Sequence, residues 1–143
     1  MASRLEKHLS PWMQHLCGKF LVACDLDPIL QARGVRVILT CTYRSNAEQA
    51  DLYAQGRTKP GPVVTRAQPG QSKHNAIDAN GKPASEAFDI ALLYLGKCVW
   101  STEQPYREWW DRLGAIAEDV GLEWYGRPGA PFREFVHFQN PEA

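Results

Sequence analysis

The sequence contains no long apolar segment. Nowhere in its 143 residues does an uninterrupted apolar run reach about 18 residues, the length that a transmembrane helix needs. The N-terminal residues 1–9 are largely polar or charged and lack the apolar core of a secretory signal peptide. We therefore expect cytoplasmic synthesis without a signal peptide and no membrane partner.

An excess of charge is missing as well. The 16 Lys and Arg residues balance the 16 Asp and Glu residues. Nucleic-acid-binding domains usually carry a basic surplus, so we expect no nucleic-acid partner. The chain is long enough for one hydrophobic core and shows no internal repeat, which predicts a monomer with a single domain over residues 1–143.

Cysteines are few and irregularly spaced. Cys17, Cys24, Cys41 and Cys98 form no Cys-x-x-Cys motif and lie in largely apolar surroundings. We expect buried free thiols. A Cys17–Cys24 disulfide and a cysteine nucleophile paired with a histidine are the alternatives.

The hydrophobic pattern predicts helices packed on a small, mainly antiparallel sheet, an α+β fold. Residues 5–30 have apolar positions at helical intervals, which puts Trp12 and Met13 in the core. Proline and glycine in residues 57–70 predict a long loop over a cleft. The other predicted elements are strands at 35–43, 88–95 and 135–139 and helices at 47–55 and 106–120.

Two histidines and two acidic residues have the chemistry of a catalytic zinc site. Zinc binds His nitrogen and Asp or Glu oxygen, and a catalytic site keeps a position open for water. His74, Asp89 and His137 would make such a set, with Glu134 as the base that activates the water. With four His and 16 acidic residues in the chain, chance neighbours are the alternative.

Four sequence blocks carry a resemblance: Thr42 to Tyr53 with Gly56-Arg57, Ser72-Lys73-His74, Ala87-Phe88-Asp89, and Glu134 to Phe138. They resemble the zinc D-Ala-D-Ala carboxypeptidase and L-Ala-D-Glu endopeptidase family, and they occur in the family's order. The resemblance implies a Hedgehog/DD-peptidase-like fold and a Zn²⁺ cofactor held by His74, Asp89 and His137. It further implies that Glu134 is the base and that Arg44 assists the substrate carbonyl.

One spacing departs from the family pattern. His74 and Asp89 are 15 residues apart, more than is usual in the family, and residues 75–85 form the apparent insertion. Asp78 is therefore a rival ligand. Asp89 is preferred because it begins an apolar strand, whereas Asp78 lies among Asn, Gly and Pro.

The last strand imposes a condition on Glu134. Residues three apart on a regular strand point to opposite faces. Glu134 must therefore lie on a turn before the strand if it is to share a site with His137, and Pro131 makes such a turn plausible.

The resemblance implies a substrate, the peptidoglycan stem peptide. We expect an L-Ala-D-Glu endopeptidase of phage or prophage endolysin type, acting on the cell wall in the periplasm after release. A D-Ala-D-Ala carboxypeptidase or dipeptidase, or a non-catalytic wall-binding or virion protein, is the alternative. The candidate substrate-binding residues are Ser72, Gln49, Tyr53, Trp124 and Tyr125.

Overall fold

The computed structural model describes residues 2–142. It contains four helices, α1 Pro11–Leu26, α2 Pro28–Arg33, α3 Asn46–Ala54 and α4 Tyr106–Val120. The strands are β1 Arg36–Cys41, β2 Ala87–Tyr94, β3 Lys97–Val99, β4 Glu123–Trp124 and β5 His137–Gln139. No helix in this part of the chain has the length and apolarity needed to cross a bilayer.

Helix boundaries follow the capping residues. Ser10 and Asp27 cap α1 and α2, each followed by proline at the first helical position. Ser45 and Glu48 form a capping box at the start of α3. Gly121 ends α4 in the left-handed conformation that glycine adopts without steric cost.

The sheet is antiparallel and has β2 at its centre. Its strand order is β1-β2-β5-β4, and β3 pairs with the C-terminal end of β2. The sequence of β2, Ala-Phe-Asp-Ile-Ala-Leu-Leu-Tyr, is almost entirely apolar, as expected for a strand covered on both faces. This confirms the predicted α+β fold of helices on a mainly antiparallel sheet.

The core lies between the sheet and helices α1 and α4. The rings of Phe20, Phe88 and Phe138 cluster with centroids 5.0–5.8 Å apart. Met13 is fully buried as predicted, but Trp12 is 55% exposed, because the helix turns it away from the sheet. Cys17, Cys24 and Cys41 are buried free thiols; Cys98 is free but exposed on the short strand β3, which corrects its predicted burial.

Candidate active site

Strand register brings the central acidic residue next to chain segments far apart in sequence. Asp89 of β2 lies opposite Cys41 of β1 on one side and opposite His137 of β5 on the other. Because β2 is the central strand, both neighbours are fixed by backbone pairing. Asp89 is thus the point at which three strands meet.

Two imidazole rings converge on one oxygen of Asp89. His74 Nε2 lies 3.2 Å and His137 Nδ1 lies 3.1 Å from Asp89 Oδ1. The two rings are edge to face with centroids 5.1 Å apart. The structure therefore brings together the three residues predicted to bind metal.

His74 is held by a short 3₁₀ turn, Lys73–Asn75. The Ser72 hydroxyl accepts a hydrogen bond from the His74 backbone N–H, so Ser72 caps this turn. His74 Nδ1 lies 2.8 Å from the Thr42 carbonyl oxygen, which can only accept. Nδ1 must therefore carry the proton, and the lone pair of the neutral ring is on Nε2, facing Asp89.

The charges at this point suit a cation. Burial alone would raise the pKa of the Asp89 carboxyl, but the charge of His74 and hydrogen bonds from both imidazoles bring it well below its usual range. Burial would lower the pKa of His137, but its hydrogen bond to Asp89 and the charge of that carboxylate leave the pKa raised. An ionised oxygen facing a ring lone pair is repulsive unless a proton or a metal ion lies between them.

Two donor distances of the set formed by His74, Asp89 and His137 suit a metal ion. Donors about 2.0 to 2.1 Å from a tetrahedral ion lie about 3.3 Å from each other. The two nitrogen-to-oxygen distances, 3.2 and 3.1 Å, are close to that edge length. Two imidazole nitrogens and a carboxylate oxygen are also the donors that catalytic zinc sites use.

Cys41 provides a second possible ligand set. One donor atom each from Cys41, His74 and Asp89 lie within 4.8 Å of one another, so these residues are a possible metal-binding group. Burial, and then the charge of Asp89, raise the pKa of the Cys41 thiol to about 12. Its sulfur approaches His74 at Nδ1, 3.7 Å away, the nitrogen already bonded to Thr42. For these reasons we favour His137 over Cys41 as the third ligand.

Arg44 follows β1 and reaches the same carboxylate from another side. Its Nη2 lies 3.7 Å from Asp89 Oδ2, and its Nη1 donates to Gln49 Oε1 at 2.9 Å. Gln49 is fully buried on α3 and donates in turn to the Ala67 carbonyl oxygen at 2.7 Å. The guanidinium is thus oriented before any substrate arrives.

Glu134 lies on a turn before β5, which meets the geometric condition set by the sequence. Its backbone N–H donates to the Tyr125 carbonyl, and its own carbonyl accepts from the His137 N–H. Burial raises the pKa of its carboxyl group, and so does the charge of Asp89, whereas His137 and Arg44 oppose the change. The carboxyl group therefore lies within the electrostatic reach of all three residues.

These side chains share a cavity of about 400 Å³. Arg66 joins two of its walls, since it donates to the Pro131 carbonyl and lies over the Phe132 ring. Residues 64–67 of the predicted long loop form part of the wall. The polar residues in the wall are Arg44, Thr65, Arg66, Gln71, Ser72, Lys73, His74, Asp89, Tyr125, Glu134, His137 and Gln139.

Three of the residues predicted to bind substrate lie outside the cavity wall. Trp124 is 5% exposed, is packed against Gly114 and Gly126, and donates its ring N–H to the Phe135 carbonyl. It therefore packs in the core, and its predicted contact with substrate stays a prediction. Gln49 is buried behind Arg44, and the Tyr53 ring packs against the Arg57 guanidinium.

No family model matches the chain. Among characterised proteins, it is similar to the peptidoglycan L-alanyl-D-glutamate endopeptidase CwlK of Bacillus subtilis (strain 168). The two are 33% identical over 134 residues, with 82% of this chain and 75% of CwlK covered. The chain belongs to the D-Ala-D-Ala carboxypeptidase and L-Ala-D-Glu endopeptidase family.

A solved structure of the same fold is the L-Ala D-Glu endopeptidase ChiX of Serratia marcescens. It matches with a TM-score of 0.58 at 14% identity, covering 98% of this chain and 88% of ChiX. At that identity the likeness concerns the fold. It agrees with the sheet and helices described above.

The unusual spacing in this endopeptidase-family member is accommodated by an excursion between His74 and Asp89. Residues 76–86 leave the site and return, with a bridge between Ile77 and Pro83. Asp78 lies at the exposed tip, where its carboxylate accepts from the backbone N–H groups of Asn80 and Lys82. This position separates Asp78 from the cavity, so we retain Asp89 as the candidate ligand.

Sequence reasoning missed Cys41, Thr42 and Gln139 in this family member. Cys41 and Thr42 contact His74 across sequence separations of 33 and 32 residues, which no local pattern reveals. Gln139 had a usable signal, since it follows His137 by two residues on a strand and so shares its face. Its Oε1 lies 2.9 Å from His137 Nε2.

Proposed function

We propose that this protein is a zinc-dependent peptidoglycan peptidase that hydrolyses the L-Ala-D-Glu bond of stem peptides. The observation that carries the proposal is the approach of His74 and His137 to one oxygen of Asp89, in a cavity that also contains Glu134 and Arg44. CwlK and ChiX, both named as endopeptidases for this bond, support the choice of reaction.

His74 Nε2, His137 Nδ1 and the Asp89 carboxylate would hold the zinc ion. When bound, zinc would lower the pKa of a coordinated water and withdraw electron density from the substrate carbonyl. The Thr42 carbonyl accepts from His74 Nδ1, so the lone pair on Nε2 of the neutral ring would be free to bind the ion. The depressed pKa of Asp89 keeps that ligand ionised at neutral pH.

Glu134 would accept the proton of the attacking water and return it to the leaving amine. Its raised pKa suits the first step, because a stronger base accepts the proton of the water more readily, and the protonated carboxyl group can then donate that proton to the amine. Arg44 would donate from its guanidinium to the carbonyl oxygen as negative charge develops there. Gln49 holds the guanidinium in place, so little reorganisation is needed during the reaction.

The cavity wall suits an acidic peptide. Arg44, Arg66 and Lys73 are the cations of the wall, and a stem peptide carries carboxylates at and beyond D-Glu. Ser72 and Tyr125 offer hydroxyl groups for the peptide backbone. We propose a monomeric single-domain enzyme that acts in the periplasm as a phage or prophage endolysin.

Hydrolysis of purified sacculi tests the proposal. We expect soluble fragments from the protein as purified, no fragments after chelation, and restored release when zinc is added back. Mass spectrometry of the fragments should show new N-terminal D-Glu. Thiol alkylation should leave the activity unchanged, since no step uses a cysteine nucleophile.

Other outcomes would replace the proposal with a specific alternative. Loss of a terminal D-Ala without internal cleavage would indicate a carboxypeptidase. Chelator-resistant activity that alkylation abolishes would indicate a cysteine hydrolase. Sacculus binding without cleavage, in protein loaded with zinc, would indicate a wall-binding domain.

A further inference from the structure

Gln139 contacts the side of His137 that faces away from Asp89. The two residues are two positions apart on β5, so their side chains lie on the same face of the sheet. Gln139 Oε1 is 2.9 Å from His137 Nε2, and both residues are buried. The distance does not by itself show which group donates, because an amide can present its oxygen or its nitrogen and a neutral imidazole has one N–H.

Glu123 resolves that ambiguity. Gln139 Nε2 lies 3.3 Å from Glu123 Oε1, and an ionised carboxylate only accepts hydrogen bonds. Arg127 Nη2 donates to the other oxygen of Glu123 at 3.0 Å, so both oxygens of this carboxylate act as acceptors. The amide nitrogen of Gln139 must therefore face Glu123, and its oxygen must face His137.

An amide oxygen at that position requires a donor on the ring. His137 Nε2 must carry the proton, which leaves the lone pair of the neutral ring on Nδ1, 3.1 Å from Asp89 Oδ1. A histidine binds a metal ion only through a nitrogen with a free lone pair. The hydrogen bonds that link Glu123, Gln139 and His137 therefore select the Nε2–H tautomer of His137, which the proposed site needs.

We propose that Gln139 is a positioning residue, oriented by Glu123, that holds His137 in its Nε2–H tautomer so that Nδ1 faces the metal. The inference rests on the proposed function and deepens it. The same task at His74 is performed by the Thr42 backbone carbonyl, which cannot turn round. A side-chain amide can rotate and exchange its oxygen and nitrogen, so Gln139 needs the Glu123 carboxylate to fix its orientation.

Gln139→Met tests the proposal, since methionine keeps the length of the side chain and removes its acceptor. Asn140→Met is the matched control, because the Asn140 amide also donates to a carboxylate, Glu86, outside the cavity. The readouts are zinc affinity by competition with a chromophoric chelator and ¹⁵N chemical shifts of the imidazoles in metal-free protein at alkaline pH. Neither readout uses the peptidase reaction.

We expect Gln139→Met to weaken zinc binding about 10- to 100-fold and to populate both His137 tautomers. Asn140→Met should leave the affinity and the tautomer as they are in the parent. The exchanged pair Glu123→Gln with Gln139→Glu should restore both, because the new carboxylate accepts from His137 Nε2 and the new amide donates to it. Single Glu123→Gln should give an intermediate mixture of tautomers.

A Gln139→Met protein with parental zinc affinity and only the Nε2–H tautomer would overturn the proposal. An exchanged pair that folds but binds zinc as weakly as Gln139→Met would also overturn it, since the hydrogen-bond chain would then be irrelevant. If sacculi stay intact while both readouts change as expected, the proposed function fails and the role of Gln139 stands.

Discussion

The surroundings of Glu134 set the pKa and the position of its carboxyl group. Its carboxyl group lies in the cavity wall, where burial raises its pKa. The charge of His137 lowers that pKa, and the charge of Asp89 raises it. The Glu134 backbone is tied to Tyr125 and His137. The side chain is therefore held near the proposed ligands without being one of them.

Glu134→Gln should slow turnover strongly while sparing the metal. The amide cannot accept a proton, so we expect kcat to fall by about 10²- to 10⁴-fold, whereas zinc content stays at the parental level. Fragment release from sacculi and zinc quantification measure the two effects. Glu118→Gln, on the exposed side of α4, is the control; a Glu134→Gln enzyme as fast as this control would remove the assigned role.

The ligand set can be decided by two substitutions. His137→Ala should lose stoichiometric zinc, whereas Cys41→Ala should keep it, because the Cys41 sulfur approaches His74 at the nitrogen that donates to Thr42. Equilibrium dialysis against zinc measures both. The reverse result would identify Cys41, His74 and Asp89 as the ligands. Loss of zinc in Asp78→Ala would indicate that Asp78 is a ligand.

At the scale of elements, helix caps connect local sequence to the packing that supports the site. The Ser45 capping box starts α3, and α3 places Gln49 against Arg44. Asp27 has two roles at the start of α2, since it accepts from the Leu30 N–H and from the Arg112 guanidinium of α4. It thereby ties α2 to α4 across the top of the core.

Asp27→Asn should lower the free energy of unfolding at neutral pH by about 1 to 2 kcal/mol, since a charge-assisted bond is lost. The hydrogen bond from Arg112 lowers the pKa of Asp27 more than burial raises it. A depressed folded-state pKa stabilises the fold above the unfolded pKa, and that stability is lost as pH falls through the folded pKa.

Urea unfolding at pH 7 and at several pH values below about 4 measures this dependence. The difference between the parent and Asp27→Asn should be largest at pH 7 and shrink toward the acidic end. Asp25→Asn, at an exposed position nearby, should match the parent throughout. A difference that grows on acidification would contradict the assigned ion pair.

For the whole molecule, metal binding and stability should be linked. The proposed ligands come from the 3₁₀ turn, β2 and β5, so an ion would join segments that are distant in sequence. Zinc at about 100 times its dissociation constant should add about 2.7 kcal/mol to the free energy of unfolding. For a domain of this size that corresponds to a rise in Tm of roughly 5 to 10 °C.

Thermal unfolding of metal-free protein with and without zinc measures that effect. His137→Ala should show no zinc-dependent rise, and magnesium should have no effect on the parent, because it prefers all-oxygen sites. An equal rise in His137→Ala would mean that zinc binds elsewhere. The test is independent of the substrate.

The sequence by itself determined the elements and the chemical types at the site. Capping residues, glycine stops and apolar periodicity predicted α3, α4 and β2 close to their observed bounds, because those signals act between residues a few positions apart. Family blocks identified His74, Asp89, His137, Glu134 and Arg44 as candidates. The sequence left the roles of these residues as predictions.

Only the tertiary structure decided which groups meet. Pairing of β2 with β1 and β5 sets Cys41 and His137 on either side of Asp89, and the excursion carries Asp78 away. Tertiary packing also buried Trp124 and exposed Trp12, which the helical pattern had placed in the core. These outcomes depend on strand register and on packing between distant segments, and neither is encoded within any short window of sequence.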